Sequence, residues 1–368
     1  MINVTKTYLP DKNKFYSYTD KIFESGWVTN NGQFCKEINE RLSDYLGVKN
    51  LLLVSNGTLA LQLAYKLLNL SGDVLTTPFS FVATTSSLVW EGLNPIFVDI
   101  DSKTFNLDSN QIEKKITPNT TAIVATHVYG NACDLERIQS IADKYNLKVI
   151  YDAAHAFGVN YKNNSILNFG DISAISFHGT KIFHTIEGGA LVIKDDALYE
   201  RAQKMINFGI VSPTEIAELG INSKMNEFQA AMGICVLDDI HLILNSRKIR
   251  YDKYMKAFSN SESLIFQKKN EHSTMNYSHF PVVFESEEIV LKVIEELGKN
   301  GIVPRRYFYP SLNNLPYLTN KQIAPNSTDI SSRILCLPLF DSLEEEAQDF
   351  IIQIVRKHSK LLRKQIIL

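Results

Sequence analysis

The sequence predicts a doubly wound α/β domain followed by a smaller α+β domain. Residues 50–195 alternate short apolar runs, rich in strand-forming residues, with helical stretches, which is the pattern of a mainly parallel sheet covered by helices. Several of these runs are apolar throughout, as strands buried on both faces must be. After Asn226 the pattern changes to long helices with few strands. We therefore predict two domains, residues 1–240 with an N-terminal arm and residues 241–368.

The predicted sheet is mostly parallel and has seven strands. They are Leu51–Ser55, Val74–Thr77, Pro95–Asp99, Thr121–Thr126, Lys148–Asp152, Ala174–Phe177 and Gly189–Ile193. Helices are predicted between them, because apolar residues recur at helical spacing. Thr58–Leu70 has leucines four residues apart, and Leu135–Tyr145 follows Asp134, a suitable N-cap.

The C-terminal part is predicted to be shorter and more helical. A long helix is expected from Glu227 to Phe258, where it would bridge the two domains. A strand follows near His279–Phe284, then a helix over Glu287–Leu297 and a closing helix over Glu344–Lys364. These elements suffice for a small α+β domain.

Composition and charge exclude several classes of protein. The chain has 38 Lys and Arg residues against 40 Asp and Glu residues, a formal net charge of -2. It therefore lacks the basic field that drives nucleic-acid binding, and we expect no nucleic-acid partner. No apolar run reaches the roughly 18 residues that a membrane-spanning helix needs, so no membrane partner is expected.

The cysteine pattern indicates free thiols rather than disulfides or a metal site. Cys35, Cys133, Cys235 and Cys336 form no C-x-x-C pair and have no histidine at metal-ligand spacing. The N-terminal residues also lack the basic stretch, apolar run and cleavage site of a signal peptide. We predict a cytoplasmic protein with no metal.

Three places just beyond predicted strands carry residues suited to chemistry, because ligands of open α/β sheets bind at the carboxyl ends of strands. In the first, a strand runs through Ser55, Asn56, Gly57 and Thr58 into a helix. Gly57 allows close approach of the backbone, and the free N–H groups of the helix start favour an anion such as phosphate. Asn-Gly before a helix is also an ordinary N-cap, so both interpretations stay open.

The second place is the segment VIYDAAHAFG, in which Asp152 ends a strand and His155 follows. A strand-end carboxylate followed by small residues offers room and a counter-charge for a flat heteroaromatic cation. Asp152 as a helix cap and His155 as a core histidine are the alternatives.

The third place is ISFHGTKIFHTIEGGALVI, where Lys181 follows a strand. A lone lysine there is usually a surface residue. Aromatic and small residues surround this one, a setting that removes water from the amine, lowers its pKa and favours a nucleophilic lysine. Together the three places provide an anion site, a partner for a pyridinium ring and an imine-forming amine.

In these residues the chain resembles the DegT/DnrJ/StrS sugar aminotransferases, which have the aspartate-aminotransferase-like fold of type I. The matching segments span nearly the whole chain: WVTNNGQF, SNGTLAL, TTPFSFVAT, THVYGNACDL, YDAAHAFG, SFHGTKIFHTIEGGALV, INSKMNEFQAAMG and RILCLPLF. The resemblance implies pyridoxal 5′-phosphate (PLP) as cofactor. It implies that Lys181 forms the imine with PLP and then moves protons as general acid and base.

The resemblance assigns the other cofactor contacts residue by residue. Asp152 would pair with the pyridine nitrogen, and His155 would hydrogen-bond the ring hydroxyl. Phe81 would stack on the ring, although a core phenylalanine is the alternative. The phosphate would be held by Gly57, Thr58 and Ser176.

Asn222 matches an asparagine that, in the family, reaches the phosphate in the neighbouring subunit. The resemblance therefore implies a homodimer with shared active sites. Lys224 stands where relatives often have Arg, so a point charge replaces a bidentate group. Substrate contacts are implied for the following residues, each of which has an ordinary surface or packing role as its alternative: Thr29, Asn30, His184, Lys224, Arg305, Arg306 and Tyr309.

The implied reaction moves an amino group from glutamate to a nucleotide-linked keto-deoxysugar. The run TKIFHTIEGGA is most similar to enzymes that aminate carbon 4 of dTDP-4-keto-6-deoxyglucose. Amination at carbon 3 is the nearest alternative. Sister enzymes that dehydrate sugars replace the lysine with histidine, so Lys181 argues against dehydration. A non-catalytic PLP- or sugar-binding regulator is the remaining alternative.

Overall fold

The architecture is described for residues 1–365 of a computed structural model, with side chains described up to residue 359. The strands in this range are β1 Ile2–Asn3, β2 Leu51–Val54, β3 Asp73–Thr76, β4 Asn94–Phe97, β5 Thr120–Thr126, β6 Lys148–Asp152, β7 Asn160–Tyr161, β8 Asn164–Ser165, β9 Ile172–Ser176, β10 Gly189–Ile193, β11 Ile210–Ser212, β12 Glu215–Ile216, β13 Phe280–Val283, β14 Ile302–Val303 and β15 Ile334–Leu337. The α-helices are α1 Lys12–Ser25, α2 Gln33–Leu46, α3 Gly57–Leu67, α4 Val82–Trp90, α5 Leu135–Tyr145, α6 Asp196–Met205, α7 Glu227–Asp238, α8 Ile240–Phe258, α9 Glu287–Lys299, α10 Pro325–Arg333 and α11 Glu345–Gln365.

The central sheet has seven strands in the order β2-β10-β9-β6-β5-β3-β4, which confirms the predicted mostly parallel sheet. Only β10 runs antiparallel to its neighbours β2 and β9; the other pairs are parallel. In the register of these strands Asp152 lies between Thr126 of β5 and Ala174 of β9. The carboxyl ends of β5, β6 and β9 therefore meet at one edge of the sheet.

The sheet strands are buried on both faces, as their apolar sequences predict. In β2, Leu51 and Leu53 point into a core shared with α2, α5 and α7, and Leu52 and Val54 point into a core shared with α3 and α6. This alternation follows from the two-residue period of a strand. Burial on both sides holds the strand ends in fixed positions.

The long helix predicted over residues 227–258 is interrupted, which corrects that prediction. Helix α7 begins with a capping box formed by Asn226 and Gln229 and ends at Asp238. Asp239 leaves the helical conformation at φ -98° and ψ 3°, and α8 follows. Aspartate favours such interruptions because its side chain competes for hydrogen bonds. The Asp239 carboxylate also accepts a 2.9 Å hydrogen bond from the Tyr8 hydroxyl.

The C-terminal elements form an apolar core of their own. Strands β13 and β15 pair antiparallel, and α8, α9 and α11 contribute to the core around them. The N-terminal strand β1 joins this part by pairing parallel with β14. The domain division at residue 240 stays a prediction, and residues 366–368 of its second range lie outside the described residues.

Three observations on the described residues concern thiols, metal-ligating side chains and apolar helices. All four cysteines are free and buried. Within residues 1–359, no group of His, Cys, Asp and Glu side chains could hold a metal ion. None of the described helices has both the length and the apolar character needed to cross a bilayer.

The start of α2 depends on a carboxylate from α7. Glu227 is buried, and its two oxygens accept hydrogen bonds from the N–H groups of Phe34 at 2.7 Å and Cys35 at 3.0 Å. Gly32, the N-cap of α2, offers no side chain for this purpose. The carboxylate thus satisfies two N–H groups that would otherwise be buried without partners.

We expect Glu227→Gln to lower the free energy of unfolding by about 2 kcal/mol. One carboxylate oxygen is replaced by an NH2 group, which cannot accept the hydrogen bond from the backbone N–H that it faces. Urea denaturation of the purified protein measures the change. The exposed Glu24→Gln on α1 is the matched control and is expected to change stability by less than about 0.5 kcal/mol. Equal unfolding midpoints for the two variants would contradict the role of Glu227.

Candidate active site

A cavity of about 290 Å³ opens at the carboxyl edge of the central sheet. Seven of the predicted cofactor residues line it together: Gly57, Thr58, Phe81, Asp152, His155, Ser176 and Lys181. They come from the ends of β2, β6 and β9 and from the start of α4. The structure therefore brings together the three places that the sequence singled out.

Lys181 follows β9 on a tight turn, in which its N–H donates to the carbonyl of His178 at 2.8 Å. Burial lowers the pKa of its amine to about 8, and the nearby charge of Asp152 offsets part of that shift. The amine forms no ion pair with any described residue. A lysine in this state is partly neutral near physiological pH and can act as a nucleophile or a base.

Asp152 ends β6 and is buried. One carboxylate oxygen accepts a 2.7 Å hydrogen bond from the Thr84 hydroxyl, and the other accepts a 3.1 Å bond from the N–H of Ala154. Burial raises the pKa of the carboxyl, while these two bonds and the charge of Lys181 act in the opposite direction. A cationic ring nitrogen beside it would stabilise the charged form further.

A relay of hydroxyl groups supports that carboxylate. Thr84 gives its hydrogen to Asp152, so it accepts from Ser80 across their 2.7 Å contact. Thr126 in turn donates to Ser80 at 3.1 Å. The relay orients Thr84 and keeps the Asp152 carboxylate in place.

The start of α3 has the features on which the predicted anion site depends. Asn56 caps the helix by accepting the N–H of Leu59 at 2.8 Å, while the N–H groups of Gly57 and Thr58 precede the first helical bond. A Cβ at Gly57 would lie 2.9 Å from Cβ of Ser176, so glycine is required for the helix start to approach β9. The Ser176 hydroxyl adds a donor beside this helix end.

His155 offers a buried polar atom without a partner. Its Nδ1 is sealed from solvent and forms no hydrogen bond within the described residues. Burial lowers the pKa of the ring well below its usual value, and the neighbouring Lys181 and His279 lower it further. Its ring lies parallel to Tyr129 and Phe308, at centroid distances of 6.2 and 5.7 Å. A ligand hydroxyl would satisfy this nitrogen.

These groups fit PLP. The unpartnered nitrogen of His155, the buried carboxylate of Asp152 and the amine of Lys181 suit a hydroxylated pyridine aldehyde. The open helix start suits its phosphate. Phe81, 49% exposed on the cavity wall, has a free surface on which a ring can stack.

His184 does not line the cavity of this chain, and its predicted contact with substrate stays a prediction. Its ring is buried, Nε2 donates to the carbonyl of Tyr8 at 2.7 Å and Nδ1 accepts the N–H of Ile186 at 3.2 Å. Burial lowers its pKa, so the ring is neutral, as this pair of bonds requires. Both nitrogens are used in holding the N-terminal arm against the loop after Lys181.

Five other predicted substrate or cofactor residues lie away from the cavity of the same chain. Thr29 and Asn30 are exposed before α2. The Lys224 amine donates to Asn222 at 2.9 Å and to Asn207 at 2.7 Å. Tyr309 is exposed and lies under the guanidinium of Arg306, which also pairs with Glu287. Arg305, which was also predicted to contact the substrate, does line the cavity.

Sequence reasoning missed four residues that the fold brings to the site: Thr84, His279, Tyr307 and Phe308. Thr84 lies inside the matched segment TTPFSFVAT, so a search for a partner of Asp152 could have found it. The other three belong to the C-terminal part, and packing alone carries them to the sheet edge. No local pattern indicates that arrangement.

Comparisons with known proteins identify the family of the chain. The sequence model of the DegT/DnrJ/EryC1/StrS aminotransferase family matches residues 10–356. A dTDP-4-amino-4,6-dideoxy-D-glucose transaminase of Shigella dysenteriae is 40% identical over 361 residues, which are 97% of this chain and 98% of that protein.

Two solved structures share the architecture. DesI in the presence of its TDP-sugar product superposes with a TM-score of 0.92 and 29% identity, covering 99% of this chain and 94% of DesI. The PMP form of the putative sugar aminotransferase Spr1654 from Streptococcus pneumoniae superposes with a TM-score of 0.89 and 25% identity. The match covers 96% of this chain and 99% of Spr1654. The predicted resemblance is confirmed: the chain belongs to the DegT/DnrJ/EryC1/StrS aminotransferase family and is a PLP-dependent aminotransferase.

Proposed function

We propose that this enzyme transfers the amino group of glutamate to the C-4 ketone of dTDP-4-keto-6-deoxy-D-glucose. The observation that carries the aminotransferase chemistry is the set of Lys181, Asp152 and His155 around one cavity beside an anion site. The near full-length similarity to a dTDP-4-amino-4,6-dideoxy-D-glucose transaminase supports the sugar and the carbon position. The buried, unpaired cysteines support a cytoplasmic, reducing location.

Lys181 is the catalytic base and acid of the proposed reaction. PLP, when bound, supplies an electron sink for the carbon that loses its proton. With a pKa near 8, the Lys181 amine can take a proton from the donor and return one to the carbon that receives the amine. The face from which Lys181 delivers the proton sets the configuration of the new amine.

The other residues bind and orient. Asp152, held by Thr84 and Ala154, keeps a negative charge where a protonated ring nitrogen would lie. His155 holds the ring hydroxyl, and Phe81 covers one ring face. The helix start at Gly57 and Thr58 binds the phosphate together with Ser176.

We further propose a homodimer in which each site is completed by the partner. Large apolar side chains are exposed next to the predicted shared residues, and they support an interface there: Trp27, Val28, Phe208, Ile210, Val211, Ile216, Leu219 and Ile221. Thr29, Asn30, Asn222 and Lys224 lie among them in sequence. In this arrangement Asn222 reaches the phosphate in the partner, and Lys224 places a positive charge near the substrate diphosphate.

The function is tested by incubating the enzyme with glutamate and a panel of dTDP-, UDP- and GDP-linked keto-deoxysugars. We expect amination of dTDP-4-keto-6-deoxy-D-glucose, with product NMR locating the amine on carbon 4. Transfer to a C-3 ketone, or to another nucleotide only, would contradict the proposed substrate. Sugar dehydration without amine transfer would contradict the reaction itself.

The pKa of Lys181 predicts the pH dependence of PLP attachment to the apoenzyme. Below pH 8 the amine is mostly protonated and unreactive, so the attachment rate should rise about tenfold per pH unit and level off above about 8. In Asp152→Asn the pH at which the rate levels off should be lower, because the negative charge that raises the pKa of Lys181 is gone. Stopped-flow absorbance measures both profiles.

The exposed Asp20→Asn on α1 serves as the matched control and should keep the wild-type profile. The readout is the pH at which the rate levels off. The size of the rate is not used, because Asp152 is also proposed to bind the ring of PLP. A rate that continues to rise to pH 10 in the wild type would show that burial does not depress this amine.

Shared sites predict complementation between inactive variants. Lys181→Ala removes the catalytic amine, and Asn222→Asp places a carboxylate against the partner's phosphate, so each homodimer should be nearly inactive. Refolding the two together creates mixed dimers with one site that has both native residues. We expect transfer activity to return in the mixture, measured with glutamate and the keto-sugar. Mixtures no more active than their parents would argue that each site belongs to one chain.

A further inference from the structure

His279 reaches the active-site cavity from the C-terminal part of the chain. It immediately precedes β13 and lines the cavity in contact with His155, with 4.5 Å between the ring centroids. Its ring also lies 5.3 Å from that of Tyr129 and 5.6 Å from that of Tyr307. None of the cofactor contacts above uses this residue.

The hydrogen bonds of Ser278 decide which nitrogen of His279 carries the proton. The Ser278 hydroxyl donates its one hydrogen to the carbonyl of Tyr129 at 2.7 Å. The 3.1 Å contact between Ser278 Oγ and His279 Nδ1 must therefore have Nδ1 as the donor. His279 is thus the tautomer with hydrogen on Nδ1 and a lone pair on Nε2.

The backbone around His279 is held in place from several sides. Arg247, buried on α8, donates to the carbonyls of Tyr277 at 3.0 Å and Ser278 at 2.7 Å. The Asn276 amide donates to the carbonyl of His155 at 2.8 Å. Tyr277 has a left-handed backbone at φ 57°, a conformation that these bonds secure. The imidazole is therefore presented by a rigid segment.

The ring of His279 is neutral. Burial lowers its pKa well below the usual value, and the positive charges of Lys181, Arg247 and Lys269 lower it further. Nε2 forms no hydrogen bond with a described residue, and it is not among the polar atoms sealed from solvent. The lone pair on Nε2 is thus available to a ligand in the cavity.

The chemistry of a ligand group for this lone pair is restricted. Phosphate and carboxylate groups carry no hydrogen at neutral pH and would be repelled by a lone pair. An ammonium group would enter a field already made positive by three cations. A neutral hydroxyl group brings a hydrogen without charge, so it meets both conditions.

We propose that His279 is a specificity-determining residue whose Nε2 accepts a hydrogen bond from a hydroxyl group on the hexose ring of the substrate. This assignment rests on the proposed function, since it requires a nucleotide sugar in the cavity. Binding of the sugar substrate should therefore depend on His279, and the half-reaction with the amino donor should not.

The test separates the two half-reactions of the PLP-loaded enzyme. In His279→Phe, which keeps a ring but no acceptor, kcat/KM for the keto-sugar should fall roughly tenfold. The single-turnover rate with glutamate should stay within about twofold of wild type, because no hydroxyl is bound in that step. Calorimetry should show a matching loss of affinity for the dTDP-amino-sugar product. The exposed His272→Phe is the matched control.

Substrate analogues test the contact directly. With the wild-type enzyme, one analogue that lacks a single hydroxyl, at carbon 2 or carbon 3, should have a kcat/KM about tenfold lower than that of the full substrate. With His279→Phe, the same analogue and the full substrate should have equal kcat/KM values. His279→Gln, which retains an acceptor oxygen, should recover part of the affinity. If His279→Phe does not fold, the analogues with the wild type and the glutamine variant still decide the matter.

The outcomes distinguish the two proposals. If the wild type aminates no nucleotide keto-sugar, the proposed function fails and the His279 assignment fails with it. If the wild type is active while both half-reactions slow equally in His279→Phe, the residue has a structural role only. In the remaining outcome the wild type is active, while kcat/KM for every analogue falls by the same factor in the wild type and in His279→Phe. In that case the hydroxyl contact of His279 is overturned and the proposed aminotransferase function stands.

Discussion

The site depends on the burial of two opposite charges at neighbouring strand ends. Asp152 ends β6, and Lys181 follows β9, the strand that pairs with β6 in parallel register. Burial alone would neutralise both groups, because a low-dielectric setting disfavours each charged form. Their mutual attraction, with the hydrogen bonds from Thr84 and Ala154, opposes that tendency. As a result the pKa of the Lys181 amine stays at about 8, and the charged form of Asp152, which can pair with a cation, is favoured.

This balance requires a sheet that does not yield. Polar groups at the edge of a rigid sheet keep their separation because each strand is packed on both faces, Leu51 against one core and Leu52 against the other. The same rigidity allows Gly57 to approach Ser176 so closely that a single added carbon would collide. Anion site, carboxylate and amine are therefore fixed relative to one another before any ligand arrives.

Local patterns were sufficient for the parts of the site that lie on single strand ends. Asp152, Lys181 and Gly57 follow apolar runs, and the position beyond a strand already predicts their exposure to a ligand. His184 is close to Lys181 in sequence, but closeness in sequence does not decide where a ring points. Its Nε2 donates to the carbonyl of Tyr8, and the ring does not line the cavity. His279 was missed because its contact with the ring of His155 results from packing of the C-terminal part. The break at Asp239 likewise needed a tertiary partner, Tyr8.

The N-terminal arm shows how the two sides of the cleft are connected. Ile2 pairs with the C-terminal part through β14, the carbonyl of Val4 accepts the N–H of Leu339 at 3.0 Å, and Thr5 lines the cavity. Farther along, Tyr8 bonds to both His184 and Asp239 on the side of the large sheet. One short segment thus contacts the structures that carry Lys181 and those that carry His279. Because both sides are held by the same segment, a change in the arm would alter the distance between amine and imidazole without touching either residue.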